Sequence, residues 1–202
     1  MLKEHRVPSH IVRHSLAVAK LAVFLSERLK EKGLPVDVAL VDSACLLHDI
    51  FRICELEKSD YGKSEQEVTY RGKTKLQQIK SHEDAAYNLL KEKYPALALA
   101  VKKHRYSALL DEKERPRTWE EKLVYYADKR VMHDRIVSLK QRLEEAHKRN
   151  APRPKAQGGI NPAKVDRLIY KLEKEIFDKI GLNPLEVTAT LIDSYPSTLL
   201  CK

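Results

Sequence analysis

A histidine and an aspartate side by side, His48-Asp49, interrupt the otherwise apolar run Ala44-Cys45-Leu46-Leu47-His48-Asp49-Ile50-Phe51. Any fold this chain adopts must bury that run, and an imidazole and a carboxylate carried into a core need partners, because an unpaired buried charge is costly. The fold is therefore restricted to arrangements that deliver polar groups from elsewhere in the sequence to this point. A divalent metal is one such partner, since it accepts neutral imidazole nitrogen and carboxylate oxygen together.

The elements available for that delivery read as helices. Ile11, Val12, Leu16, Ala19 and Val23 recur at helical spacing from about His10 to Lys32, ahead of Gly33. Pro35 suits the first turn of a second helix, running to about Arg52. Ser81 with Asp84 resembles a cap, opening a helix to about Lys93, and a short one follows from Ala96 to about His104. Asp111 to Arg117 reads as a loop, and the capping box Thr118-x-x-Glu121 opens a helix that the spacing carries to about Arg149. Asn161-Pro162 opens an amphipathic helix ending near Gly181, and Pro184 is expected to start one more. With six glycines in 202 residues and no alternating β-branched pattern, the expected fold class is all-α, a compact helical bundle with an added C-terminal helical segment. Residues 1–150 read as one domain, and 151–202 as a linker and helical extension packed on it. The polar stretch 57–80, with Gly62 and Gly72, reads as a long loop or lid carrying Lys63, Arg71, Lys73 and Lys75.

Charge narrows the partners. The formal balance of +9 favours anions, small phosphorylated molecules as well as nucleic acid, although a solvated Lys/Arg surface is an equally simple reading. Cys45, Cys54 and Cys201 have neither metal-finger nor redox spacing. No apolar run approaches the roughly 20 residues of a membrane span, and the polar start is read as no signal peptide, so a cytoplasmic protein is expected.

Six residues on or beside the expected helices stand out as metal-ligand types: His14, His48, Asp49, His82, His104 and Asp128. His14 shares a face with Val18, Leu21 and Leu25, and Asp128 follows the apolar Leu123-Val124-Tyr125-Tyr126-Ala127. Singly, each has an ordinary alternative as a satisfied core histidine or a capping carboxylate. His5, His10, His133 and His147 are assigned surface or local roles.

Taken in order, Arg13-His14-Ser15, Leu46-Leu47-His48-Asp49-Ile50, His82, His104 and Tyr126-Ala127-Asp128-Lys129-Arg130 resemble the HD-domain superfamily of metal-dependent phosphohydrolases over about residues 10–147. The resemblance implies that His14, His48, Asp49 and Asp128 bind a first metal, with Asp49 bridging to a second held by His82 and His104. One or two ions are implied, iron or manganese favoured. A single-metal version would leave His82 and His104 as substrate contacts.

Phosphoryl transfer wants fixed cations nearby. Lys129 and Arg130 follow the last ligand, and Arg52 stands where many proteins that this chain resembles carry Lys. Arg52, with two hydrogen bonds to offer and no proton to release, suits a phosphate clamp. Asp49, Lys129 and Arg52 are thus the expected catalytic set. Arg52, Lys129, Arg130, Lys103 and Arg105 are the expected substrate contacts, with Lys102 beside them. The expected function is hydrolysis of a phosphoester or phosphoanhydride in a nucleotide or other small phosphorylated metabolite. Two alternatives remain at this stage, a non-catalytic nucleotide or nucleic-acid binding module and a di-iron oxygenase. A nucleic-acid partner is compatible but not favoured, and a homodimer is allowed.

Overall fold

The computed structural model describes residues 1–54, 81–150 and 160–195. The expected lid at 57–80, with its four cations, lies outside the described residues, as do the linker 151–159 and Cys201. The fold is all-α: eight α-helices and one two-residue hairpin among the described residues. These are α1 (Ser9–Glu31), α2 (Val38–Leu47), α3 (His82–Leu90), α4 (Pro95–Lys102), α5 (Trp119–Asp128), α6 (Leu139–Asn150), α7 (Pro162–Ile180) and α8 (Ala189–Asp193). Strands β1 (Val131–Met132) and β2 (Arg135–Ile136) pair antiparallel between α5 and α6.

α1 is the central pillar. Its Val18, Leu21, Ala22, Val23 and Leu25 are wholly buried, and it packs on α2 and α5, with α4 packed on both of those helices. Gly33, at φ +79°, turns the chain out of α1 in a conformation that a side chain would strain. α5 is buried throughout Leu123–Ala127 and starts at the expected box, in which Thr118 Oγ1 accepts from Glu121 N and the Glu121 carboxylate accepts from Thr118 N. α7 presents Val165, Ile169, Leu172, Ile176 and Phe177 to the same core and packs on α1, α5 and a 3-10 turn over Tyr106–Leu110. No described helix is long and apolar enough to cross a membrane.

Four boundaries differ from the sequence reading. α2 ends at Leu47 and not near Arg52, because His48 caps it and the chain turns through Asp49 into a 3-10 turn, Arg52–Cys54. Asp37, not Pro35, starts that helix by accepting from Leu40 N at 3.0 Å. The helix expected from Thr118 to Arg149 is broken at Asp128. The β-branched Val131 and Ile136 pair across the hairpin, and Ser138 with Gln141 forms a fresh reciprocal cap for α6. Pro184 starts a turn, and the last helix begins at Ala189 behind the Thr188 cap.

Candidate metal centre

Residues at or near the ends of five helices converge. His14 comes from the second turn of α1, His48 and Asp49 from the end of α2, His82 from the first residue of α3, His104 from just past α4, and Asp128 from the last residue of α5. All six residues that the sequence reading singled out meet in one cluster, with His48, His82, His104 and Asp128 buried.

Asp49 sits between two groups of nitrogen. Its Oδ2 lies 3.5 Å from His48 Nε2 and 3.9 Å from His14 Nε2, whereas Oδ1 lies 3.1 Å from His82 Nε2 and 3.6 Å from His104 Nε2. Asp128 Oδ1 stands against the first pair, 3.1 Å from His14 Nε2 and 3.7 Å from His48 Nε2. Among the described residues, His14-His48-Asp49 and Asp49-His82-His104 each place three ligand atoms within 4.8 Å of one another.

Backbone carbonyls fix three of the rings. His14 Nδ1 lies 2.6 Å from the His133 carbonyl, His48 Nδ1 2.7 Å from that of Cys45, and His104 Nδ1 2.5 Å from that of Val101. A carbonyl can only accept, so each Nδ1 carries the proton and each Nε2 of the neutral ring turns a lone pair inward. Those lone pairs face carboxylate oxygens, and His104 Nε2 faces His82 Nε2 at 3.1 Å. Acceptors aimed at acceptors repel unless a proton or a cation lies among them. Among the described residues, His48 Nε2 is buried without a hydrogen-bond partner. A set of this kind, imidazole nitrogen and carboxylate oxygen with protons already parked on the far side, fits a divalent first-row metal. Cys45 is not part of it: burial, with the charges of Asp42 and Asp128, pushes its thiol up, so it stays protonated.

The electrostatics of the metal-free cluster follow from the same contacts. Burial opposes ionisation of Asp49, but His48, His104 and His82 outweigh it and hold the carboxyl well below its ordinary 3.8. Asp128 is likewise buried and held well below 3.8 by Lys129 and by His14 and His48. Burial pushes His104 below 6.5, while at His48 the two aspartates overcome burial and raise it. Depressed carboxyls contribute stability that is present above their unfolded value and lost as pH falls through the folded one. The raised His48 contributes stability that is in place below 6.5 and lost as pH rises above it, whereas the lowered His104 costs stability as pH falls below 6.5, so over pH 7 to 5 the two offset. Stability of the metal-free chain, followed by urea unfolding, is therefore expected to change little from pH 7 to 5 and to fall steeply once pH drops below 3.8.

The cations divide. Lys129 is buried and donates to Asp128 Oδ2 at 2.5 Å and to the His104 carbonyl at 3.0 Å, so its charge lies at the cluster. An Arg52 terminal nitrogen lies 3.3 Å from His82 Nδ1. Arg105 donates to Asp84 and Ser81 at the rim beside His82. Arg130 and Lys103 are corrections. Arg130, 2% exposed, directs its donors to the carbonyls of Val137, Pro184 and Val187, to Tyr126 Oη and toward Glu173, leaving none for phosphate. Lys103 is buried against Glu121 at 2.7 Å, tying α4 to the α5 capping box.

Two participants escaped the sequence reading. Glu83, 6% exposed, places Oε2 3.4 Å from His82 Nδ1, and its position beside a candidate ligand was the available clue. The other is the peptide of His133, at φ +58° in the hairpin turn, which aims its carbonyl at His14. His133→Gly keeps that carbonyl and relieves the left-handed backbone. Metal stoichiometry should therefore be unchanged, and stability should stay within about 1 kcal/mol of wild type by thermal unfolding, since strain relief and lost chain stiffness offset each other.

Comparison with known proteins agrees with this geometry. The HD domain family model matches residues 11–132, more than half of the chain and all six clustered residues. A tRNA (cytidine(56)-2'-O)-methyltransferase of Picrophilus torridus is 28% identical over 162 residues, covering 74% of this chain and 40% of that protein. The chain thus spans less than half the length of the curated relative it matches. No solved structure gives a significant match. The chain belongs to the HD-domain family, a superfamily of metal-dependent phosphohydrolases.

Proposed function

We propose that this HD-domain protein hydrolyses a phosphoester or phosphoanhydride bond in a nucleotide or other small phosphorylated metabolite. The observation that carries the reading is the division of Asp49, one oxygen toward His14 and His48 and the other toward His82 and His104. A divalent ion, iron or manganese by ligand type, would be held by His14, His48, Asp49 and Asp128, and a second by Asp49, His82 and His104. When bound, such ions supply Lewis-acid polarisation of a phosphoryl oxygen and acidify water near neutral pH.

The chain's own groups suit the rest of the reaction. Lys129, fixed by Asp128 and the His104 carbonyl, places a buried positive charge where phosphoryl charge would develop. Arg105, partly exposed at the rim, and Arg52, facing His82, are placed to grip phosphate oxygens. The reading is tested by assaying the purified chain for phosphate release from nucleotides and phosphate esters with Mn²⁺ or Fe²⁺. Turnover that Asp49→Ala abolishes supports it; no turnover with any metal, and no difference between wild type and Asp49→Ala, refutes it.

A second reading has one observation in its favour, the similarity to a protein named for tRNA modification, alongside the net charge of +9. On that reading the helical scaffold binds RNA without turnover. Its signature is an affinity that falls steeply with salt and is indifferent to Asp49→Ala.

A further inference from the structure

We propose that Glu83 and Arg52 compete for His82 Nδ1, and that this competition makes the Asp49-His82-His104 group the weaker, exchangeable metal site of the two. The inference rests on the metal-centre reading above and concerns what sets its occupancy.

His82 differs from the other three ring ligands. His14, His48 and His104 each hold Nδ1 against a backbone carbonyl, which permits a single neutral tautomer with Nε2 bare. Among the described residues, the Nδ1 of His82 instead meets groups of opposite hydrogen-bonding character: an Arg52 guanidinium nitrogen at 3.3 Å and Glu83 Oε2 at 3.4 Å. A guanidinium has donors only. When Arg52 donates to Nδ1, the ring proton sits on Nε2, where it donates to Asp49 Oδ1 at 3.1 Å and no lone pair is offered to an ion. When Glu83 accepts from Nδ1, Nε2 is bare and points at the same oxygen and at His104 Nε2.

The two competitors are differently anchored. Glu83 is buried at the start of α3, with Arg105 Nε 3.7 Å from its Oε1. Arg52 opens the 3-10 turn three residues after Asp49, and its backbone N–H donates to the Asp49 carbonyl at 2.9 Å. The group that deselects the ligating tautomer thus belongs to the same turn as the bridging carboxylate. Glu83 is accordingly a positioning residue for His82, and Arg52 its antagonist. In the first group every histidine is preset; in the second, an ion must draw one ring out of its competing hydrogen bond.

Titration with Mn²⁺, following free ion by electron paramagnetic resonance, tests this on the full chain. Wild type should bind one ion tightly and a second more weakly. Arg52→Met, which keeps length and removes the donors, should tighten the weak class about tenfold; Glu83→Leu should weaken it about tenfold, and Glu83→Gln, which retains an acceptor, should recover part of that loss. The tight class should be unchanged in all three variants, which also reports that each is folded. Two equal classes in wild type, a single ion at every concentration, or a weak class indifferent to both Arg52→Met and Glu83→Leu overturns the inference and leaves the first metal group standing. Absence of any bound ion in wild type overturns the metal-centre reading itself.

Discussion

Asp49→Asn is expected to abolish phosphate release by at least about a thousandfold and to remove both classes of bound metal together. The side chain keeps its size but loses the charge, and at most one of its two ligand positions remains an oxygen. Because one oxygen serves His14 and His48 and the other serves His82 and His104, the substitution reaches both groups, whereas loss of a single histidine touches one. The magnitude follows from the several kcal/mol that Lewis-acid stabilisation contributes to phosphoryl transfer, at 1.36 kcal/mol per factor of ten. Parallel measurements of metal content and of phosphate release from the best substrate check it. Loss of activity with full metal content would move Asp49 out of the bridging role. Retention of both would remove it from the site.

Arg130→Met is expected to be the most damaging substitution outside the cluster, destabilising the fold by about 3–5 kcal/mol and lowering the melting temperature by about 10 °C. Methionine fills much of the same space, so the loss is one of hydrogen bonding. Arg130 donates to the Val137 carbonyl at 2.6 Å, to Tyr126 Oη at 2.6 Å, and to the Pro184 and Val187 carbonyls at 3.1 and 3.2 Å. Glu173 lies 3.6 Å away and also accepts from Tyr126 Oη at 2.5 Å. Removing the guanidinium strands several acceptors and a carboxylate that is largely shielded from water, and an unsatisfied buried group costs its full desolvation. It also cuts the tie between the end of α5 and the chain leading into α8. Calorimetric unfolding reads the effect. Metal stoichiometry of the folded variant should match wild type, since Arg130 donates to no member of the cluster; a variant that is stable but deficient in phosphate binding would restore Arg130 to the substrate site.

Much of the centre was legible in the sequence because its ligands are side chains of distinctive chemistry. His48-Asp49 in an apolar run demanded partners, and His14, His82, His104 and Asp128 were the residues able to supply them. What orients those ligands was less legible. Three of the four rings are set by peptide carbonyls, of Cys45, Val101 and His133, and a carbonyl leaves no trace in residue type. Glu83 could have been suspected from its adjacency to His82, yet an acidic residue in the first turn of a helix is equally explained by the helix dipole. Arg130 was misread through proximity: two residues apart around a helix end point to different sides, so following Asp128 in sequence did not bring it to the same face. The break at Asp128 carried a usable mark, Ser138-x-x-Gln141, which has the form of a capping box and restarts the helix after the hairpin. Apolar spacing on either side ran on through that mark, and spacing alone does not register a two-residue turn.

Six residues from or beside five helices are proposed to form a metal centre shared through Asp49. The most direct test is elemental analysis of the wild-type chain after equilibration with Mn²⁺ or Fe²⁺ and removal of free ion, across a range of metal concentrations. One ion per chain is expected at low concentration, rising to two, and none should be retained by Asp49→Asn. Wild-type protein that holds no ion at any concentration, or that binds the same number when Asp49 is replaced, would contradict it.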